Sequence, residues 1–171
     1  MEERTGIVTM KGRPLTLLGS EVAAGDAAPD FEVIANDLST VKLSSFRGKG
    51  CIISSVPSLD TPVCDLQTRR FNEEAGRLGD DIVALTISMD LPFAQTRWCG
   101  AAGIENVQTL SDHRWARFGQ SFGVLIKELR LLARAVFVVN KDGVIKYIQI
   151  VPELTSELDY DAVLKAAKQL V

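Results

Sequence analysis

The stretch Val56–Asp65, which reads VPSLDTPVCD, marks the point where an apolar run ends at a proline and a helical pattern begins. The apolar run before it, Cys51–Val56, is typical of a strand that is covered on both faces of a parallel or mixed sheet. Thr61 is a favoured N-cap residue and Pro62 is a favoured first residue of a helix. The stretch therefore predicts a strand that leads directly into a helix.

Cys64 falls at the third position of this predicted helix, in the turn whose backbone N–H groups have no partners within the helix. A thiolate at this position gains hydrogen bonds from those groups and lies at the positive end of the helix dipole. Cys64 is therefore the candidate nucleophile. The alternative is a capped helix that carries an inert, half-buried cysteine, and the spacing alone leaves both interpretations open.

Strand and helix patterns alternate along the rest of the chain. Two short runs, Gly6–Met10 and Pro14–Leu18, flank a turn at Lys11–Arg13 and predict an N-terminal β-hairpin. The other predicted elements are strands ending near Ile34 and Leu43, helices over about Pro62–Leu78 and Pro92–Ala102, strands at Ile82–Ser88, Val107–Leu110, Ala133–Val139 and Val144–Val151, and a closing helix from about Asp159. Alternating βα units followed by an antiparallel hairpin predict an α/β fold compatible with a thioredoxin-like sandwich.

Several side chains are interpreted as ordinary packing or surface positions. Cys51 lies in an apolar strand, so we expect it in the core, and we expect Trp98 to serve mainly in packing. His113 lies in a predicted connection and is interpreted as a surface residue. The buried face of the first long helix is predicted to consist of Val63, Leu66, Phe71, Ala75 and Leu78.

Composition limits the classes of protein to which the chain can belong. With 171 residues, of which 46% are hydrophobic, residues 1–171 are predicted to form a single domain. The formal charge of −3 offers no basic field for nucleic acid. The N-terminus lacks the features of a secretory signal, and no apolar run approaches the ~18 residues of a membrane span, so we expect a cytoplasmic protein without membrane contact.

The three cysteines favour redox chemistry over a structural disulfide framework. Cys51, Cys64 and Cys99 are few and odd in number, which suits catalytic thiols in a reducing compartment. No pair of cysteines has the close spacing of zinc ligands, and His113 is the sole histidine. We therefore expect no metal centre.

The segment Ser121–Leu132 contains many hydrophobic residues without a clean period. An apolar loop of this kind often covers another subunit. We therefore predict a homodimer with this loop near the interface.

The motif Pro57, Thr61 and Cys64 resembles the Pro-x-x-x-Thr-x-x-Cys signature of peroxiredoxins, and the fuller sequence PSLDTPVC resembles their thiol peroxidase (Tpx) subfamily. This resemblance covers nearly the whole chain and also implies the N-terminal hairpin. It implies a thioredoxin-like fold and a peroxidase in which the Cys64 thiolate attacks a hydroperoxide and becomes a sulfenic acid. Both alkyl hydroperoxides and hydrogen peroxide are implied as substrates, and no metal or flavin is required.

Cys64 has no neighbouring thiol of the C-x-x-C type, and Cys99 in the second long helix is the remaining candidate partner. The resemblance implies that Cys99 is the resolving cysteine of an atypical two-cysteine enzyme, forming a disulfide with Cys64 within one chain. Thioredoxin is the implied reductant of that disulfide. Because a disulfide needs Cα atoms within roughly 7 Å, we expect one or both helices to unwind locally before the bond closes.

Two further residues are implicated in the site. We predict that the Thr61 hydroxyl both caps the helix and bonds to the thiolate or the peroxide. Arg134 opens a buried strand, where a charge must be paired or functional, and by resemblance it matches the active-site arginine of peroxiredoxins. A structural salt bridge is the alternative for Arg134.

Sequence reasoning leaves two other classes of function open. The same cysteine pair in a non-enzymatic thiol switch would react with about one equivalent of peroxide and stop. A structural or chaperone-like module would need no reactive thiol at all.

Overall fold

The structure, a computed structural model, describes all residues from Met1 to Val171. Its strands are β1 Glu3–Met10, β2 Arg13–Leu18, β3 Glu32–Ile34, β4 Thr40–Lys42, β5 Gly50–Ser55, β6 Ile82–Ser88, β7 Val107–Ser111, β8 Leu125–Ile126, β9 Leu131–Leu132, β10 Ala135–Val139 and β11 Ile145–Ile150. Its helices are α1 Pro62–Leu78, α2 Pro92–Ala102, α3 Arg117–Ser121 and α4 Tyr160–Lys168, with a 3-10 helix at Leu43–Phe46. None of the helices has the length and apolar composition that crossing a membrane requires.

A seven-stranded sheet in the order β11-β10-β5-β6-β7-β3-β4 forms the centre of the molecule. Strands β5, β6 and β7 are parallel, as βαβ connections require, and the strands on either side of them are antiparallel. The remaining strands form a smaller sheet in the order β1-β2-β8-β9. The predicted α/β architecture with an N-terminal hairpin is therefore confirmed.

The long helices lie on one face of the central sheet, and the small sheet lies on the other. Phe71 of α1 and Val163 of α4 pack on a row of strand residues that includes Ile52 and Ala84. On the opposite face, a cluster of phenylalanine rings joins α3 to the sheet, with the Phe118 and Phe122 centroids 4.9 Å apart. The loop between β5 and α1 lies at the carboxyl end of the parallel strands, which is the edge where α/β folds usually bind ligands.

Helix α1 has the predicted bounds, and its predicted buried face is confirmed at Phe71 and Ala75 but not throughout. Its buried residues are Cys64, Gln67, Thr68, Phe71 and Ala75. The prediction that Leu66 belongs to the buried face was wrong, because this side chain is 49% exposed. The first two turns also bury the polar side chains of Gln67 and Thr68, which hydrogen-bond to Ser54 and to the Cys64 carbonyl, and a search for apolar residues alone does not find them.

The N-terminal hairpin turns at Lys11 and Gly12, which both have positive φ, as the tight turns between paired strands prefer. The end of β1 also pairs with the segment after β11. The amide of Thr9 donates to the Pro152 carbonyl at 2.7 Å, and the amide of Leu154 donates to the Thr9 carbonyl at 2.9 Å. The hairpin therefore holds the chain segment that precedes α4.

The segment Ser121–Leu132 is not the exposed loop that the sequence predicted. Phe122, Val124, Leu125 and Ile126 are buried, and only Leu129 among its large hydrophobic residues is exposed. Strand β8 of this segment pairs with β2 and with β9, which carries its side chains into the core. The apolar character of this segment is therefore explained within one chain and gives no support to a dimer interface.

Candidate active site

Helix α1 begins at Thr61 as predicted, but the predicted side-chain cap was wrong. Thr61 has the extended backbone of an N-cap residue, with φ −104° and ψ 146°, and its carbonyl accepts from the Asp65 amide at 2.9 Å. Its hydroxyl donates instead to the Ser58 carbonyl at 3.0 Å, so it is turned back toward the loop and away from the helix. Thr61 is exposed at the mouth of the site and has no hydrogen bond to Cys64.

Cys64, the third residue of α1, has no exposed surface. It packs with Val56 and Leu59 of the preceding loop, and the half-buried Trp98 covers this cluster. The hydrogen bond to its sulfur comes from Arg134, whose Nη2 lies 3.3 Å from Sγ. The backbone N–H groups of the first turn, which were expected to donate to this sulfur, do not do so, and a side-chain cation takes their place.

Arg134 is only 2% exposed, and several acceptors surround its guanidinium group. Nη1 donates to Gln67 Oε1 at 2.8 Å, and both Nε and Nη2 donate to the Leu154 carbonyl, at 3.2 and 2.9 Å. None of the ion pairs in the structure includes Arg134, so the alternative of a structural salt bridge is wrong. A buried cation needs a compensating negative charge, and the Cys64 sulfur is the ionisable group it contacts.

Gln67 is a site residue that sequence reasoning missed. It is fully buried and joins Arg134 to the sheet, because its Nε2 donates to Ser54 Oγ at 2.5 Å. It lies three residues after Cys64 and therefore on the same side of α1. The sequence could have indicated this role, because Gln67 is a polar residue on the same helix face as the candidate nucleophile. A polar side chain in a helix is, however, usually assigned to the solvent-exposed face.

Asp90 is a second missed residue and fixes the loop that carries Pro57, which is itself buried. Its carboxylate accepts from the Ser58 hydroxyl at 2.7 Å, from the Leu59 amide at 2.9 Å and from the Ser88 hydroxyl at 2.7 Å. The sequence indicated only that Asp90 precedes α2. Three donors on one carboxylate hold the loop before Cys64 against the end of β6.

Cys99 lies in α2 as predicted, but its side chain does not face Cys64. Its Sγ lies 3.3 Å from Thr109 Oγ1 on β7, and the half-buried residue lines a cleft of about 770 Å³ whose wall also includes Asn36. The three cysteines are free. The two sulfurs therefore have separate surroundings in this state.

The other residues singled out by sequence lie away from these contacts. Cys51 is buried in the apolar core as expected, and burial raises the pKa of its thiol to about 11. His113 is half-buried, and its Nδ1 pairs with the Ser111 hydroxyl at 2.8 Å. No group of three or more His, Cys, Asp and Glu side chains is placed to hold a metal ion.

Known proteins of similar sequence and structure are numerous. The redoxin family model matches residues 23–164. The thiol peroxidase of Bacillus subtilis strain 168 is 57% identical over 164 residues, which cover 96% of this chain and 98% of the relative. The thiol peroxidase of Staphylococcus aureus strain MRSA252 is 53% identical over 163 residues, which cover 95% of this chain and 98% of the relative.

Solved structures confirm the thioredoxin-like fold. A peroxiredoxin-like protein from Aquifex aeolicus superimposes with a TM-score of 0.91, at 41% identity and full coverage of both chains. The thiol peroxidase from Chromobacterium violaceum has a TM-score of 0.83 over 95% of each chain, and at 22% identity it supports the fold alone. From the sequence relatives and the matched family model together, the chain belongs to the redoxin family and, within it, to the thiol peroxidase subfamily of peroxiredoxins.

Proposed function

We propose that this peroxiredoxin-type peroxidase uses Cys64 as its peroxidatic residue and Cys99 as its resolving residue. The observation that carries the proposal is the contact between Arg134 Nη2 and Cys64 Sγ at 3.3 Å, inside a buried site. It supplies the nucleophile with a fixed positive charge. The Gln67 side chain and the Leu154 carbonyl hold that charge in place.

In the first step, the Cys64 thiolate attacks one oxygen of a hydroperoxide. An S–O bond forms, the O–O bond breaks, and the other oxygen leaves as an alcohol or as water after it takes up a proton. The Arg134 guanidinium has five N–H donors, of which four are held by Cys64, Gln67 and the Leu154 carbonyl, so one N–H on Nη1 is left to bind a peroxide oxygen. Because Cys64 is fully covered, the exposed side of the loop at Asp60 and Thr61 has to shift to admit the substrate.

In the second step, Cys99 condenses with the sulfenic acid to give a disulfide within one chain. Of the three cysteines, only Cys99 is partly exposed, and Cys51, the alternative partner for Cys64, is buried in the core. An external dithiol then reduces the disulfide by thiol–disulfide exchange. We propose thioredoxin as this reductant, and alkyl hydroperoxides together with hydrogen peroxide as substrates.

The surroundings of the enzyme are proposed on the same basis. Free cysteines suit a reducing compartment, which favours the cytoplasm. Residues 1–171 are proposed to act as one domain because the major apolar clusters on both faces share the central sheet. A homodimer is proposed from the family resemblance alone, because the apolar side chains of Ser121–Leu132 are mostly buried within one chain.

The test is steady-state consumption of peroxide with thioredoxin, its reductase and NADPH. We expect many turnovers with cumene hydroperoxide and with hydrogen peroxide, none with Cys64→Ser, and normal turnover with the matched variant Cys51→Ser. Consumption that stops near one equivalent would favour a thiol switch. Unchanged turnover in Cys64→Ser would overturn the assignment of the nucleophile.

A further inference from the structure

Side chains next to the two proposed redox cysteines bind each other across α1 and α2. The Asp65 carboxylate, adjacent to Cys64, accepts a hydrogen bond from Trp98 Nε1 at 2.9 Å. Trp98 in turn immediately precedes Cys99. A single bond therefore connects the first turn of α1 to the turn of α2 that carries the second cysteine.

Arg69 strengthens this connection from the next turn of α1. Its Nε donates to Asp65 Oδ2 at 2.8 Å, and its Nη1 donates to the Ala102 carbonyl in the last turn of α2 at 3.3 Å. Its guanidinium carbon also lies 5.8 Å from the Trp98 ring centroid, within the range of a cation–π contact. We call Asp65, Arg69 and Trp98 the helix clamp.

The clamp also determines which side of α2 faces the nucleophile. Trp98 packs against the cluster that contains Cys64, whereas Cys99 turns toward Thr109 on β7. Successive residues of a helix point about 100° apart, so the two side chains cannot face Cys64 together. Bringing Cys99 to Cys64 therefore requires this part of α2 to rotate or unwind, and Trp98 has to leave Asp65.

We propose that Asp65, Arg69 and Trp98 are positioning residues whose release limits the rate of disulfide formation, an inference that rests on the function proposed above. In the step concerned, the Cys99 thiol attacks the Cys64 sulfenic acid. The S–S bond forms, the S–O bond breaks, and the hydroxyl leaves with the Cys99 proton as water. While the clamp is closed, α1 keeps Cys64 beside Arg134 for the reaction with peroxide.

The chain offers a matched control for Arg69 in the next residue along α1. Arg70 also pairs with a carboxylate of its own helix, Glu74 at 3.5 Å, and its guanidinium carbon also lies over an aromatic ring, 5.6 Å from the Tyr160 centroid. Tyr160 belongs to α4, which carries no cysteine. Arg70→Gln therefore removes similar interactions without affecting the contact between α1 and α2.

The experiment measures the two oxidation steps separately. Reduced protein is mixed with one equivalent of cumene hydroperoxide, quenched with an alkylating reagent, and analysed by mass spectrometry for sulfenic acid and disulfide. We expect Trp98→Phe and Arg69→Gln to form the disulfide about three- to tenfold faster, the range that one intramolecular hydrogen bond accounts for. Because Arg69 contacts neither Cys64 nor Arg134, sulfenic acid formation in Arg69→Gln should stay within about twofold of wild type, and Arg70→Gln should change neither step.

Amide hydrogen exchange gives an independent readout. Faster exchange in residues 62–68 and 95–102 of the clamp variants, but not in Arg70→Gln, would support the inference. Disulfide formation that is unchanged or slower in both clamp variants would overturn it, as would equal acceleration in Arg70→Gln. If the wild-type protein forms no sulfenic acid at Cys64, the proposed function is overturned. If it forms sulfenic acid but no disulfide with Cys99, the resolving role of Cys99 is overturned, and this inference with it.

Discussion

Cys51 and Cys64 are equally hidden from solvent, yet their surroundings imply opposite chemistry. Cys51 is 2% exposed and has only a weak contact with the Lys49 carbonyl at 4.0 Å, so burial raises the pKa of its thiol to about 11. Cys64 is 0% exposed but lies against the Arg134 guanidinium. Burial by itself makes a cysteine inert, and a buried cation beside it supports a reactive thiolate.

Arg134 is therefore the residue whose loss should make Cys64 most like Cys51. We expect Arg134→Lys to slow the oxidation of Cys64 about a hundredfold, because an ammonium group cannot bond at once to Cys64, Gln67 and the Leu154 carbonyl. Stopped-flow measurement of the reaction with hydroperoxide tests this. Arg77→Lys, at the exposed C-terminal end of α1, is the matched control, and a loss below about threefold in Arg134→Lys would contradict the prediction.

Gln67 should have the next largest effect, since it holds Arg134 without touching the sulfur. Gln67→Leu keeps a similar volume but leaves Arg134 Nη1 and the Ser54 hydroxyl without a partner. We expect Cys64 oxidation to slow about tenfold, the size of one hydrogen bond to a charged group. Gln108→Leu, an exposed change of the same kind on β7, should leave the rate as it was, and a normal rate in Gln67→Leu would show that Arg134 needs no such support.

Thr61 separates catalysis from helix stability. Because its hydroxyl does not cap α1, Thr61→Val should change the free energy of unfolding by no more than about 0.5 kcal/mol. If the hydroxyl contacts the peroxide as predicted, Cys64 oxidation should still slow about fivefold, and Thr61→Ser should restore it. Equal rates in wild type and Thr61→Val, measured with alkyl hydroperoxide, would remove Thr61 from the reaction.

Cys51 should have the smallest effect on the rate and a distinct effect on the pH dependence of stability. Its raised pKa means that the folded protein holds this proton more tightly than the unfolded chain, so its contribution to stability is full below about pH 9 and is lost as the pH rises toward 11. In denaturant titrations, wild type should lose roughly 1 kcal/mol more than Cys51→Ala between pH 8 and pH 10. Peroxidase turnover should be the same in both, and identical pH profiles of unfolding would refute the assignment of Cys51.

The sequence predicts α1 well because its ends are set by local chemistry. Thr61 and Pro62 mark its start and Gly79, with φ 80°, marks its end, so no distant contact is needed to place them. The hairpin turn at Lys11 and Gly12 is local in the same sense. Cys64 and Arg134 could also be selected as site candidates from the sequence, because a cysteine at the start of a helix and a charge in a predicted buried strand are each unusual.

The parts that failed depend on contacts between distant residues. Strand β8 is only two residues long and pairs with Leu17 and Leu18, more than a hundred positions earlier, so no periodic pattern could show that it is buried. Gln67 and Asp90 have the polarity of surface residues and are recognised as site residues only from the groups they bind. The Thr61 cap failed because the hydroxyl is turned toward the Ser58 carbonyl, to which it donates, and its oxygen therefore accepts no hydrogen bond from the backbone N–H groups of α1.

The N-terminal hairpin has a role beyond its own stability because of its pairing with the segment before α4. That segment includes Leu154, whose amide bonds to Thr9 and whose carbonyl accepts two hydrogen bonds from Arg134. The backbone N–H groups of Thr155 and Gly12 lower the pKa of Glu153 to about 2, so the Glu153 carboxylate stays charged at any physiological pH. Proteolytic trimming of β1, or a fusion partner that displaces it, would therefore loosen Leu154 and with it the position of the Arg134 guanidinium. The residues around Cys64 would all still be present in the chain.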